Sequence, residues 1–177
     1  MLAILLLVAL DQGIKLLIAR FMMDAQFIII PHVFRFKVAQ NIHLGWVWNM
    51  IDFMMPLVFA VALSVLVIII IIIYSRYMAF NAARRGKHEG LPPIILTFVL
   101  AAAFCKLIDD IFWGGSLDYI GLFNWFIFDL KDVYITFALG CLVFFEIVSG
   151  VYLSKLPKEK RKELGFLYWA RLGFPNK

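Results

Sequence analysis

The chain has 177 residues, of which 64% are hydrophobic and only 16% charged. A soluble domain lies nearer half apolar and a quarter charged, so too little polar surface is present to cover a water-soluble globule. That excludes a cytosolic enzyme, a disordered chain and a typical nucleic-acid binder, despite the formal charge of +5, and predicts one integral membrane domain over residues 1–177.

A bilayer core about 30 Å thick takes roughly 20 apolar residues as helix. Four segments reach that length, at about 1–22, 53–74, 94–113 and 133–154. The first is interrupted by Asp11, Gln12 and Lys15, and it lacks the basic start and small-residue cleavage site of a removable signal peptide. The ten residues before Asp11 make about 15 Å of helix, so either Asp11 lies near mid-membrane or a native start lies upstream of Met1. The second span has Asp52 suited to cap it and Pro56 in its first turn, where a missing N–H costs little. Unbroken runs such as Ile68 to Ile73 predict helices, because barrel strands would alternate.

Lysine and arginine set the orientation. Arg76, Arg84, Arg85 and Lys87 follow the second span. Lys155, Lys158, Lys160, Arg161, Lys162, Arg171 and Lys177 make a basic tail over 155–177. The positive-inside rule puts both segments, and both termini, in the cytoplasm. Aromatics after the basic cluster, from Phe166 to Trp169, suit the tail to the inner leaflet. In the outer segment between spans one and two, Phe34, Phe36 and Val38 alternate with Arg35 and Lys37, the pattern of a short amphipathic strand. The second outer segment carries Phe123, Trp125, Phe126 and Phe128, suited to the headgroup layer. The expected fold is therefore an all-α membrane protein of four transmembrane helices, with a small outer β-rich segment between helices one and two.

Cys105 and Cys141 sit in apolar runs and read as small fillers. Gly140, Ser149 and Gly150 offer close helix packing. Glu146, deep in the fourth span, is either paired within the bundle or has a specific polar role.

Asp109, Asp110, Asp118, Asp129 and Asp132 all fall at or near the outer boundary, which spans three and four approach from opposite directions. Asp11 and Lys15 are one turn apart on span one. Any single one of these carboxylates reads as a helix cap or a solvated loop residue; five at one level, with Lys15 and Lys106 nearby, point to acidic chemistry at the outer face. Two carboxylates sharing a proton around a water can activate that water and polarise a carbonyl.

These residues resemble lipoprotein signal peptidase, or signal peptidase II, a four-helix membrane aspartic protease. The family's Asp-Gln-x-x-Lys element is met by Asp11-Gln12-Gly13-Ile14-Lys15. Its Gly-Asn-x-x-Asp-Arg and Val-x-Asp-Phe elements are met by Cys105-Lys106-Leu107-Ile108-Asp109-Asp110 and Leu117-Asp118-Tyr119-Ile120. Its Phe-Asn-x-Ala-Asp element is met by Phe128-Asp129-Leu130-Lys131-Asp132. The resemblance implies Asp118 and Asp132 as the catalytic pair, supported by Asp11, Lys15, Lys106, Asp109 and Asp129. His43, Gly45, Trp46 and Trp48, in place of the family's Asn-x-Gly-Ala-Ala-Phe, would line the substrate groove; the alternative alignment begins that element at Asn41. The chain departs from the family in having Lys106 and Asp110 for Asn and Arg, Asp129 for Asn, and Lys131 for Ala; Lys106 offers a replacement for the lost Arg charge.

The resemblance implies a diacylglyceryl-modified prolipoprotein substrate cut before its lipobox Cys in the bacterial inner membrane. It also implies no cofactor, no metal, no nucleic acid, contact with membrane lipids, and a monomer. Two other readings stand beside it: a non-catalytic relative that binds lipoprotein precursors, and a small proton- or cation-coupled protein using Asp11, Lys15 and Glu146.

Overall fold

The computed structural model describes residues 1–41, 57–85, 90–123 and 125–175. In chain order it runs α1 (Leu2–Phe21), β1 (Gln26–Ile30), β2 (Phe34–Asn41), α2 (Leu57–Arg85) and α3 (Leu91–Ile108), which continues as a π-helical turn, Asp109–Trp113. Then follow β3 (Ser116–Leu122), β4 (Phe126–Phe128), α4 (Leu130–Ser154), α5 (Lys158–Glu163) and α6 (Phe166–Arg171). Four helices are long and apolar enough to cross a membrane: Leu2–Phe21, Val58–Arg85, Leu91–Trp113 and Leu130–Ser154. Each leaves apolar side chains uncovered, as with Leu5, Ile69, Phe104 and Leu139. In water that surface would be untenable, and in lipid it is the solvated face.

The helices start and stop where their sequences allow. Pro92 and Pro93 occupy the first turn of α3, where no N–H is needed. Asp129 caps α4: its side chain accepts from the Asp132 backbone N–H, and the Asp132 side chain accepts from the Asp129 N–H, a reciprocal capping box. The second span is longer than its apolar run predicts. Its helix continues through Tyr74–Arg85, where Tyr77 donates to the Leu164 carbonyl and Arg76 to that of Phe174. Asp52 and Pro56 lie outside the described residues.

Helix α3 is the central one, packed by α1, α2 and α4. Small side chains make this possible: Ala101, Ala102 and Ala138 are buried, with Tyr134 against them and its hydroxyl donating to the Leu7 carbonyl at 3.1 Å. Gly140 and Gly150 do not serve the close packing expected of them. Both are exposed, and a Cβ at either would meet nothing within 4 Å.

The β-segment between the first two spans is present, and it is half of a larger sheet. Four antiparallel strands run in the order β1-β2-β3-β4, the last two supplied by the segment between the third and fourth spans. Strand β3 eluded the sequence reading because nearly all of it is buried, so no alternation marks it. The C-terminal half of α1 and its cap support the sheet: Ile14, Ile18 and Met22 pack on Phe36, Leu117 and Tyr119.

Candidate active site

Helix α1 brings Asp11, Gln12 and Lys15 to the end of α3, where the π-turn begins. A π-turn widens the helix by one residue per turn and recurs at functional sites. Here Asp109 and Asp110 are both buried. The turn is closed by Gly114 and Gly115, at φ of +66° and +144°, values that favour glycine. The chain reverses there into β3. The β2–β3 register sets Asn41 opposite Ser116 and Ala39 opposite Asp118, and the capping box fixes Asp129 and Asp132 at the start of α4.

Lys15 ties these elements together. Its ammonium lies 2.9 Å from Asp11, 2.6 Å from Asp109 and 2.7 Å from Asp129, with all four side chains fully buried. An ammonium has three protons, and each has a carboxylate. Gln12 donates to Asp11 and to Asp109, each at 3.0 Å, and accepts from the Trp113 indole at 3.0 Å. Asp11 and Asp109 are thereby held in place by ionic and neutral partners together.

Lys131 enters from the other side. Its ammonium lies 2.5 Å from Asp129, 3.4 Å from Asp109 and 3.8 Å from Asp118, and donates to Ser116 Oγ. Ser116 Oγ in turn donates to Asp118 Oδ1 at 2.6 Å, and Asn41 Nδ2 reaches Asp118 Oδ2 at 3.5 Å. Asp118, Asp129 and Asp132 each place a carboxylate oxygen within 4.8 Å of the others. Burial pushes the Asp118 carboxyl up from its ordinary value, with Asp129 adding to the effect and Ser116 and Lys131 opposing it. For Asp129 burial acts in the same direction, but the Lys131 and Lys15 ammonium groups outweigh it and hold the carboxyl below the usual range. Two neighbouring carboxylates are thus pushed apart in proton affinity, a pattern of acid–base sites.

A second acidic group, Asp11, Asp109 and Asp129, is equally close-set. Both sets already hold a lysine ammonium. The Lys15 and Lys131 ammonium groups stand where a cation would, and Asp129 is bonded to both.

The acidic pair opens onto a cavity of about 1340 Å³. Its walls are apolar, with Leu63, Val67 and Ile71 from α2, Val99 and Ala103 from α3, and Val133 and Phe137 from α4. Ser116, Asp118, Lys131 and Asp132 line its acidic end, and Arg35 and Asn41 of β2 its rim. A long apolar groove running into a polar end is suited to a ligand with an apolar body and a polar end.

The structure thus brings together Asp11, Lys15, Asp109, Asp118, Asp129 and Asp132. Lys106 stands apart from the carboxylate cluster. It lines the cavity, but its ammonium pairs with Asp110 at 2.5 Å, one turn on along the same helix. The cation that joins Lys15 in the cluster is Lys131, read in the sequence as a departure from the family's Ala. Ser116 was not foreseen, since its role depends on the β2–β3 register. His43, Gly45, Trp46 and Trp48 lie outside the described residues. Glu146 is paired within the bundle: Tyr74 donates to it at 2.6 Å. Fourteen residues of helix, about 21 Å, separate it from Asp132, which leaves it no part in this site.

Four spanning helices with a buried carboxylate site at one end define a polytopic membrane protein built for acid–base chemistry. The family model for signal peptidase (SPase) II matches residues 3–148, and the chain belongs to that family. It is therefore a multi-pass peptidase of the bacterial inner membrane. A bacterial membrane enzyme solved by the in meso method at 2.3 Å resolution is 18% identical, with a TM-score of 0.68 over 89% of this chain and 91% of that one. A second, solved by the same method at 1.9 Å, is 19% identical, with a TM-score of 0.62 over 81% of this chain and 88% of that one. At such identities the likeness is one of fold. No curated protein matches the sequence significantly.

Proposed function

We propose that the chain is an aspartic endopeptidase that cuts diacylglyceryl-modified prolipoproteins before the lipobox Cys, with Asp118 and Asp132 activating the water. One observation carries the reading: Asp118 on β3 and Asp132 on α4 set carboxylate oxygens within 4.8 Å of one another at the polar end of an apolar groove. One water, donating to the ionised carboxylate and accepting from the protonated one at about 2.7 Å each, bridges such a gap.

One carboxylate takes a proton from that water as its oxygen attacks the scissile carbonyl carbon. The other, protonated, donates to the carbonyl oxygen. Collapse of the tetrahedral diol breaks the C–N bond, and the proton first taken passes to the leaving amine of the lipidated Cys. The pair shares one proton and titrates as a unit, so neither residue owns a single role. Asp11, Lys15, Asp109 and Asp129 hold the pair in place. The acyl chains would lie along the apolar walls from α2, α3 and α4, and the signal peptide would cross at the sheet. The distribution of Lys and Arg supports an orientation with both termini cytoplasmic and the site at the outer face.

The test offers purified protein in detergent two lipobox peptides of one sequence, with and without diacylglyceryl on the Cys, and maps products by mass spectrometry. Cleavage immediately before the modified Cys, and far slower cleavage of the unmodified peptide, is the expected result. Cleavage elsewhere, or none by folded protein at any pH from mildly acidic to mildly alkaline, would overturn the reading.

A further inference from the structure

We infer that Lys131 is a positioning residue for the acidic pair, and that its charge sets the pH at which Asp118 and Asp132 hold a single shared proton. The inference rests on the reading of those two residues as the water-activating pair. A lysine at membrane depth is costly unless it is paired, and Lys131 is buried at the first turn of a spanning helix. Its surroundings explain its place. Asp129 lies 2.5 Å away, Asp109 3.4 Å and Asp118 3.8 Å. Lys131 also donates to Ser116 Oγ, whose own proton is directed to Asp118 Oδ1 at 2.6 Å. Lys131 therefore acts on Asp118 twice, through space and through an oriented hydroxyl.

The other charges facing this point do not duplicate it. Lys15, from α1, has its three protons on Asp11, Asp109 and Asp129. Lys106, from α3, is paired with Asp110. Arg35, from β2, lines the cavity rim and has no ion pair among the described residues. Asp132 shares α4 with Lys131. Among the described residues Lys131 is the one cation within 4 Å of Asp118. Asp129 sits on the same side and raises the proton affinity of Asp118, which Lys131 lowers. Take Lys131 away, and among the described residues no cation remains within 4 Å of Asp118 to offset the charge on Asp129, which keeps only Lys15.

An opposite charge at this distance moves a carboxyl by about one to three pH units. In Lys131→Gln, which keeps a hydrogen-bond donor for Ser116, both limbs of the pH–rate profile should move to higher pH by about that amount. In Lys131→Arg, which keeps the charge, they should stay at the wild-type position. A second readout does not need activity. A hydrophobic carbodiimide reacts with protonated carboxyls in apolar sites, and the pH dependence of Asp118 labelling, read by mass spectrometry, gives the midpoint of its titration. That midpoint should rise in Lys131→Gln and Lys131→Met and hold in Lys131→Arg. An unchanged midpoint in folded Lys131→Gln would overturn the inference. A midpoint that moves while no protein cleaves, wild type included, would overturn the peptidase reading and support the control of Asp118 by Lys131.

Discussion

Asp129 shows how one residue can hold two roles at this site. It is the N-cap of α4, and it is also the carboxylate shared by Lys15 and Lys131. Sequence reasoning allowed either role for it, and the geometry combines them. Its charge raises the proton affinity of Asp118, so Asp129→Asn, which still caps a helix, should lower it. The sign follows in two steps: one negative neighbour is lost, and Lys131 is freed to act more fully on Asp118. The alkaline limb of the pH–rate profile should therefore move to lower pH, the reverse of the shift expected for Lys131→Gln. Lys15 belongs at this scale as well. Lys15→Met leaves three buried carboxylates facing one another, and breaking a buried pair costs about 3–5 kcal/mol. Thermal unfolding in detergent should show a large fall in Tm, with cleavage lost.

At the scale of elements, the site is assembled by ends rather than by faces. The end of α3, the start of α4, the middle of α1 and the β2–β3 ladder meet at one level, and each end has its own device. For α3 it is the π-turn and the left-handed Gly114 that follows. A Cβ at Gly114 would meet nothing, so Gly114→Ala tests backbone conformation alone. It should cost about 1–2 kcal/mol of stability, measurable as a fall in Tm, and lower kcat more than it raises KM, because Asp109 and Asp118 flank the turn. The spans and strand β2 were legible in the sequence because apolar length and alternation leave a direct trace. The acidic residues were legible as a set because carboxylates are rare at membrane depth. What was not legible depends on register. Ser116 reaches Asp118 only because β3 pairs with β2 and turns back toward α4. Lys106 and Lys131 look alike in sequence, both as charges near an Asp. A helical spacing of four gives Lys106 to Asp110, whereas the cap geometry carries Lys131 into the cluster.

For the whole molecule, α3 serves as the post against which the other three spans lean, and the groove lies between α2 and α4 across its face. The opposite end is closed differently. Trp169 of α6 is fully buried against Tyr77, Phe166 and Phe174, so the basic tail folds back on the end of α2. The proposed orientation separates these two ends across the bilayer. With the native cysteines replaced by Ala, Trp125→Cys should be labelled by a membrane-impermeant maleimide in spheroplasts, and Glu159→Cys only after the membrane is opened. The reverse pattern would invert the topology and place the acidic site in the cytoplasm.

The most direct test of the central claim compares wild type with Asp118→Asn and Asp132→Asn on the diacylglyceryl-modified lipobox peptide. Each variant is first matched to wild type in thermal unfolding, so that loss of activity is not loss of fold. Wild type should cleave before the modified Cys, and each variant should fall by at least about a thousandfold, as removal of one member of a cooperating catalytic set produces. Cleavage at the wild-type rate by either folded variant would contradict that expectation, and with it the assignment of Asp118 and Asp132 as the pair that activates water.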